Sequence, residues 1–333
     1  MSPIYLPSMT SFQVIFKQRR AKVLKKTNFG CLKGVYTINV TNGCSLSCTY
    51  CYARGYSQAP PKGEVELYTN LPSLLQQELA NPRRRENPDL VVFNTASDCF
   101  QPHPAILDVT YHSMKVLLEE GVTISFLTKG EIPPRFLQLF GRWPERVLAQ
   151  IGLVSLSQRY WQQFEPGAAP PGVRLKNIRS LFDIGITPEV RMDPIIPFLT
   201  DGEGEVERFI RTIKELGVKR LSLSYLHLRP GIARQLEEEL PPPYRDIIHS
   251  CFQNQAWAQV GTSTKTKLIP RPLRERGYRR IKDIAQAYGI EAVICSCKNP
   301  DLKGGICVPE RIIKRHSFKE PKKRDRQLTL FPC

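Results

Sequence analysis

Three cysteines, Cys44, Cys48 and Cys51, stand at spacing C-x3-C-x2-C within eight residues. Three thiolates on one tight loop suit a soft metal centre. A [4Fe–4S] cube takes four ligands, most often cysteine. Three thiolates leave one iron free for an outside ligand, so such a site would be catalytic rather than purely electron-carrying. The alternatives are a structural zinc site and unligated core cysteines. Zinc knots usually add a second cysteine pair further along, and none follows closely here.

A run of strand character, residues 35–40 (VYTINV), leads into this loop. The cysteines therefore lie where α/β enzymes collect their chemistry, on the loop leaving a strand. Five more strands are predicted, over residues 90–94, 122–127, 146–155, 187–192 and 218–225. Helices are predicted over 73–80, 105–120, 174–184 and 203–216. Strands alternating with helices through short links are the βα pattern of a parallel sheet. Six units are too few for a closed eight-fold barrel, so an open, partial (β/α)6 barrel is expected, with functional groups at the C-terminal strand ends. Beyond residue 230 the pattern turns helical, over 234–239, 244–257 and 279–288. The predicted organisation is a basic arm (1–30), an α/β core (31–229), a small, mostly helical C-terminal subdomain (230–310) and a basic tail (311–333).

The formal charge is +17, from 48 Lys and Arg against 31 Asp and Glu. The basic residues cluster at 17–26, 83–85, 271–282 and 314–326. A balance of this size favours a polyanionic partner, most simply nucleic acid; the alternative is a merely soluble basic surface. Ten cysteines fit metal binding in a reducing compartment better than a disulfide framework. No apolar run is long enough for a membrane span, and the N-terminus lacks the order of a signal peptide. A cytoplasmic protein is expected.

The cluster loop resembles the radical S-adenosylmethionine (SAM) signature, C-x3-C-x-aromatic-C, with Tyr50 at the aromatic position. The resemblance implies a [4Fe–4S] cluster whose open iron chelates SAM. An electron, from a donor such as flavodoxin or ferredoxin, then cleaves SAM to methionine and a 5′-deoxyadenosyl radical. From residue 35 to 228 the chain is similar to the spore photoproduct lyase-like branch. Its sharpest match is Phe164-Glu165-Pro166-Gly167 with Arg174-Leu175, where Glu165 and Arg174 would brace the SAM pocket; the alternative is an ordinary surface loop. The resemblance places Thr95, Ser97 and Asp98 at the SAM amino group and Lys129 at its carboxylate. Ser155 and Ser157 would meet the ribose or methionine. Asp193-Pro194-Ile195-Ile196-Pro197 would shape the adenosine site. One position departs from the branch. Its cysteine hydrogen donor stands three residues before the aspartate, and here that residue is Thr95. Cys99, on the same loop, is the candidate replacement.

Cys295, Cys297 and Cys307 have spacing C-x-C-x9-C. They are candidates for a second iron–sulfur cluster or a zinc site, with Cys251 as a fourth ligand, or for a reduced buried set. Cys31 reads as a small core residue. Near the end, Gln327, Leu328, Thr329, Leu330 and Phe331 resemble the bacterial sliding-clamp-binding motif. The expected function is a radical SAM enzyme acting on nucleic acid, with DNA repair-like chemistry favoured. The alternatives are modification of RNA or protein, and an iron–sulfur nucleic-acid-binding protein without turnover.

Overall fold

In the computed structural model, which describes residues 12–28, 30–84, 86–260 and 265–309, the chain enters a sheet before reaching the cysteine loop. Strand β1 (Gln13–Lys17) pairs in parallel with a later strand, and β2 (Lys25–Lys26) runs antiparallel to β3 (Tyr36–Ile38). The short β4 (Thr41–Asn42) and β5 (Glu64–Tyr68) flank the cysteine loop and complete a three-stranded sheet in the order β1-β5-β4.

The repeating part follows. Helix α1 (Leu71–Leu79) leads to β6 (Leu90–Phe93), α2 (Pro104–Glu119) to β7 (Thr123–Thr128), and α3 (Pro134–Phe140) to β8 (Val147–Gly152). Helices α4 (Gln158–Phe164) and α5 (Pro171–Asp183) precede β9 (Glu189–Ile195), and α6 (Glu203–Glu215) precedes β10 (Arg220–Tyr225). Strands β3, β6, β7, β8, β9 and β10 lie side by side, all parallel. This is the open six-unit barrel.

The residue pattern explains the layers. In β6, Val91 and Phe93 join the main apolar core, whereas Leu90 and Val92 join a smaller cluster with Val35, Leu148 and Val308. Alternate side chains leave a strand on opposite faces, so β6 is covered on both, as parallel strands require. Helix α6 buries Val206, Phe209, Ile210 and Ile213, the one-face spacing of an amphipathic helix.

After residue 230 the chain adds helices and returns to the main sheet. Following β11 (His227–Leu228), α7 (Pro230–Glu239), α8 (Pro242–Phe252), β12 (Ala258–Gln259), β13 (Lys265–Leu268) and α9 (Arg271–Ala287), strand β14 (Glu291–Ile294) pairs in parallel with β10. The main sheet thus has eight strands, in the order β14-β10-β9-β8-β7-β6-β3-β2. Strands β11, β13 and β12 form a small sheet of their own. Helix α9 also starts eight residues earlier than its pattern suggested, because Pro272 sits in its first turn, where a missing N–H breaks no helical bond. The clamp-like segment 327–331 and the basic tail lie outside the described residues.

Candidate active site

Cys44, Cys48 and Cys51 are free, partly buried thiols on the loop between β4 and β5. Gly43 enters that loop at φ +86°, and a Cβ there would meet Glu64 O at 2.8 Å, so the turn requires glycine. Amide contacts hold the loop from several sides. Gln101, fully buried, accepts from Ser45 N (2.8 Å) and donates to Thr41 Oγ1 and Asp98 O, both at 2.9 Å. Gln235 on α7 donates to Cys51 O (3.2 Å). Thr49 N donates to Phe164 O (3.0 Å) and Gly167 N to Leu46 O (3.2 Å). A Cβ on Gly167 would lie 2.6 Å from Ser45 O, so only glycine lets this segment approach the loop so closely.

The Glu165 segment carries the charge network. Arg174 Nη2 lies 2.5 Å from Glu165 Oε2, with both side chains almost wholly buried. This is no solvated surface pair. Arg174 also donates to Ala169 O (2.7 Å) and Gly152 O (2.9 Å). Tyr50 Oη donates to Glu165, and Lys129 Nζ stands 3.8 Å from it. The same ammonium lies 5.1 Å from the centre of the Tyr50 ring and 3.3 Å from Asp193 O. Burial pushes the Glu165 carboxyl up, but Arg174 and then Lys129 hold it below its ordinary value. Glu165 and its cations thus form a paired charge network beside the loop thiols. Burial pushes the Cys48 thiol up to about 12. A thiolate there calls for a bound cation as its counter-charge.

Asp98 is a brace between strand ends. It accepts from Phe100 N (2.8 Å), Thr128 Oγ1 (2.7 Å) and Lys129 N (2.8 Å). Ser97 Oγ accepts from Thr41 Oγ1 (3.0 Å), and Thr95 O accepts from Tyr52 Oη. These bonds pin the β6 exit to the cysteine loop. Ser157 caps α4, its Oγ accepting from Tyr160 N (3.2 Å), and Ser155 Oγ accepts from Ser157 N (3.0 Å). Both hydroxyls thus serve the turn that starts α4. Cys99 has no exposed surface and belongs to the main apolar core.

Asp193 faces the far end of the same network. Arg191 donates to its Oδ2 (2.9 and 2.8 Å), and Lys298 Nζ to both oxygens (2.8 and 2.6 Å). Burial raises this carboxyl, but Lys298 and Arg191 outweigh it and hold it well below its ordinary value. Lys298, Gln101 and Gln235 join the candidate site through contacts that spacing alone does not reveal, since each bonds across more than 50 residues.

The loop, the Tyr50–Lys129–Glu165–Arg174 network and the Asp98 brace all fall within residues 38–213, which match the radical SAM superfamily as a sequence family. The chain belongs to the radical SAM superfamily. An uncharacterized protein of Mycobacterium tuberculosis (strain ATCC 25618 / H37Rv) is 28% identical over 72% of this chain and 78% of its own length. An uncharacterized protein of Methanocaldococcus jannaschii is 26% identical over 60% of this chain and 76% of its own. Among solved structures, a point mutant of spore photoproduct lyase superposes with a TM-score of 0.63 at 18% identity, covering 84% of this chain and 81% of that one. The radical SAM fold is thus shared, and superfamily membership implies a [4Fe–4S] cluster and SAM.

The residues present fit those groups. Three free thiols of the right chemistry stand on one loop, and the buried Ser45 Oγ between them finds no hydrogen-bond partner among the described residues. Cys251 lies in α8 within the main core. It does not join Cys295, Cys297 and Cys307; Cys31 does, with the four sulfurs within 4.8 Å of one another. The expectations that Cys31 is mere packing and Cys251 the fourth ligand are both corrected. The reason is topological: the turn Gly30–Leu32 is folded back onto the loop after β14.

Proposed function

We propose that this protein is a radical SAM enzyme acting on nucleic acid, with DNA the favoured polymer. Cys44, Cys48 and Cys51 would hold the cluster. When bound, the cluster and SAM supply reductive cleavage of the sulfonium to methionine and a 5′-deoxyadenosyl radical. The chain's own residues do the positioning. Gln101, Gln235 and the Gly167 backbone fix the loop. Lys129 offers an ammonium for the SAM carboxylate, and Glu165 and Arg174 hold that ammonium and Tyr50 in place. Asp98, through Thr128 and the Lys129 amide, aligns the two strand ends. An electron would come from a small reducing partner such as flavodoxin or ferredoxin. No helix among the described residues is long and apolar enough to cross a membrane, and the oxygen-sensitive cluster favours the cytoplasm.

The observation that carries the nucleic-acid reading is an aromatic pair at the cluster loop. Tyr52, directly after Cys51, and Tyr56 are both exposed, with ring centres 5.8 Å apart. The Arg229 guanidinium lies 5.4 Å from the Tyr52 ring centre. Exposed aromatics beside a cation are what bases stack on, and each stacked base contributes about 1–3 kcal/mol. The charge of +17 and the exposed Arg276, Arg279 and Lys282 on α9 would contact phosphates. The spore photoproduct lyase structures, one of them complexed with a dinucleoside spore photoproduct, are consistent with this reading.

The test is binding and turnover with single-stranded DNA, RNA and peptides. DNA binding should weaken steeply as salt rises, because phosphate contacts release counterions. Tyr52→Ala/Tyr56→Ala should weaken it further, and DNA should raise 5′-deoxyadenosine formation. Binding that is flat with salt, or stimulation by peptide or RNA alone, would overturn the DNA assignment.

A further inference from the structure

Outside the candidate active site, four cysteines meet where nothing in the radical chemistry calls for them. Cys31 comes from the turn Gly30–Leu32; Cys295, Cys297 and Cys307 come from the loop after β14. Cys295 Sγ is 3.0 Å from Cys297 Sγ, and Cys307 Sγ is 3.7 Å from Cys31 Sγ. From these positions we infer that the four thiolates hold one zinc ion in a closed, structural site.

Ligand spacing separates a single metal ion from a cluster. Four sulfurs at about 2.3 Å from a tetrahedral zinc lie about 3.8 Å from one another. On a [4Fe–4S] cube each thiolate projects from a different iron, which spreads the sulfurs to roughly 6 Å or more. All four sulfurs here lie within 4.8 Å of one another, which is mononuclear spacing. Four thiolates also leave no open position, the mark of a structural site.

The surroundings are built for such a site. Cys295 N donates to Leu223 O (3.1 Å), extending the β10–β14 pairing. Its carbonyl accepts from Asn299 N (3.1 Å) and Asn299 Nδ2 (2.9 Å). The Asn299 side chain is in turn held by Arg274 (2.9 Å) and Tyr278 (3.2 Å). Cys307 O accepts from Gln150 Nε2 on β8 (2.9 Å) and Ser222 Oγ on β10 (3.3 Å). A Cβ on Gly30 would press within 3.3 Å of the Cys297 Cβ, so the turn is shaped to admit that cysteine. A zinc tetrathiolate carries a net of about two negative charges. The half-buried Arg191 guanidinium lies within electrostatic reach of Cys307 and Cys295. Such outer partners orient metal ligands and offset their charge.

The placement says what the zinc does. It ties residue 31 to residue 307, 276 positions apart, closing nearly the whole described chain. Lys298 lies in the same loop and pairs with Asp193, whose carbonyl accepts from Lys129. The zinc therefore holds the loop that joins, through Lys298 and Asp193, the network around Lys129.

Metal analysis of the full chain, purified without oxygen, tests this. The expected result is about one zinc per chain, kept in Cys44→Ser/Cys48→Ser/Cys51→Ser and lost in Cys295→Ser/Cys307→Ser. Wild-type protein loaded with Co(II) in place of zinc should show the d–d bands of a tetrahedral tetrathiolate at roughly 600–750 nm. That readout needs no variant to fold. The triple loop variant retaining about four irons per chain would reveal a second cluster. One iron in place of zinc, or a metal-free chain with Cys295–Cys297 or Cys31–Cys307 disulfides by mass, would equally overturn the assignment.

Discussion

The two cysteine regions of this molecule differ in ligand number, in reach along the chain and in what surrounds them. The loop between β4 and β5 offers three thiols from eight consecutive residues, partly exposed and close to an exposed aromatic pair. The second region offers four thiols drawn from both ends of the described chain, within 4.8 Å of one another. Three ligands leave a coordination site for a reactant, whereas four close the centre. The loop is backed by charged residues that can hold a small molecule; the four-cysteine region is backed by main-chain bonds to β8 and β10. On the two readings proposed above, the loop is a working centre and the four-cysteine region a fastening, and Lys298, from the second region, pairs with Asp193.

The largest expected effect separates the two regions outright. Cys48→Ala should remove the charge-transfer band at roughly 400 nm expected of a [4Fe–4S] cluster and leave the zinc content untouched. Loss of both metals together would break the distinction.

A second change sharpens what supports the loop. Arg174→Met leaves Glu165 buried without its partner, and breaking a buried pair from one side costs about 3–5 kcal/mol. Denaturant unfolding should show that loss. A change under about 1 kcal/mol, the worth of a solvated surface pair, would mean that Glu165 finds its compensation elsewhere.

A smaller effect follows from pH. Glu165 and Asp193 both titrate below their ordinary values, because the neighbouring cations outweigh burial. A carboxyl depressed by folding adds stability that is complete above its unfolded value and is lost as pH falls through its folded one. Stability should therefore hold from neutral pH down to about 4 and decline below it. Glu165→Gln should flatten part of that decline in denaturant midpoints measured from about pH 6 to about pH 3, the span that brackets an ordinary carboxylate. An unchanged profile would show that Glu165 is not ionised in the fold.

The two regions were not equally legible in the sequence. The loop announces itself because its ligands are neighbours, at a spacing that fits one cluster, just after a strand. The six parallel strands were legible for a similar reason: each is a short local run of strand-forming residues set between helices, and β6 and β8 are buried at every residue. Cys31 gave no such signal, since its partners lie far along the chain, Cys307 being 276 positions away, and no local pattern encodes that closure. Strand β14 has only four residues, one of them exposed, and becomes a strand because β10 offers an open edge. Strand β5 did carry a signal, the alternation of buried Val65 and Leu67 with Glu64, Glu66 and Tyr68, but it sits directly after a Pro- and Gly-rich turn. Gln101 and Gln235 were silent because a buried amide looks like any surface glutamine until its partners are placed.

The most direct test of the central claim is formation of 5′-deoxyadenosine by the reduced protein with its cluster in place, with Cys48→Ala measured alongside. The wild-type chain should release 5′-deoxyadenosine from SAM, and Cys48→Ala should release none. Failure of the cluster-loaded wild type to release it, or equal release by Cys48→Ala, would contradict the assignment of the loop as a radical SAM centre.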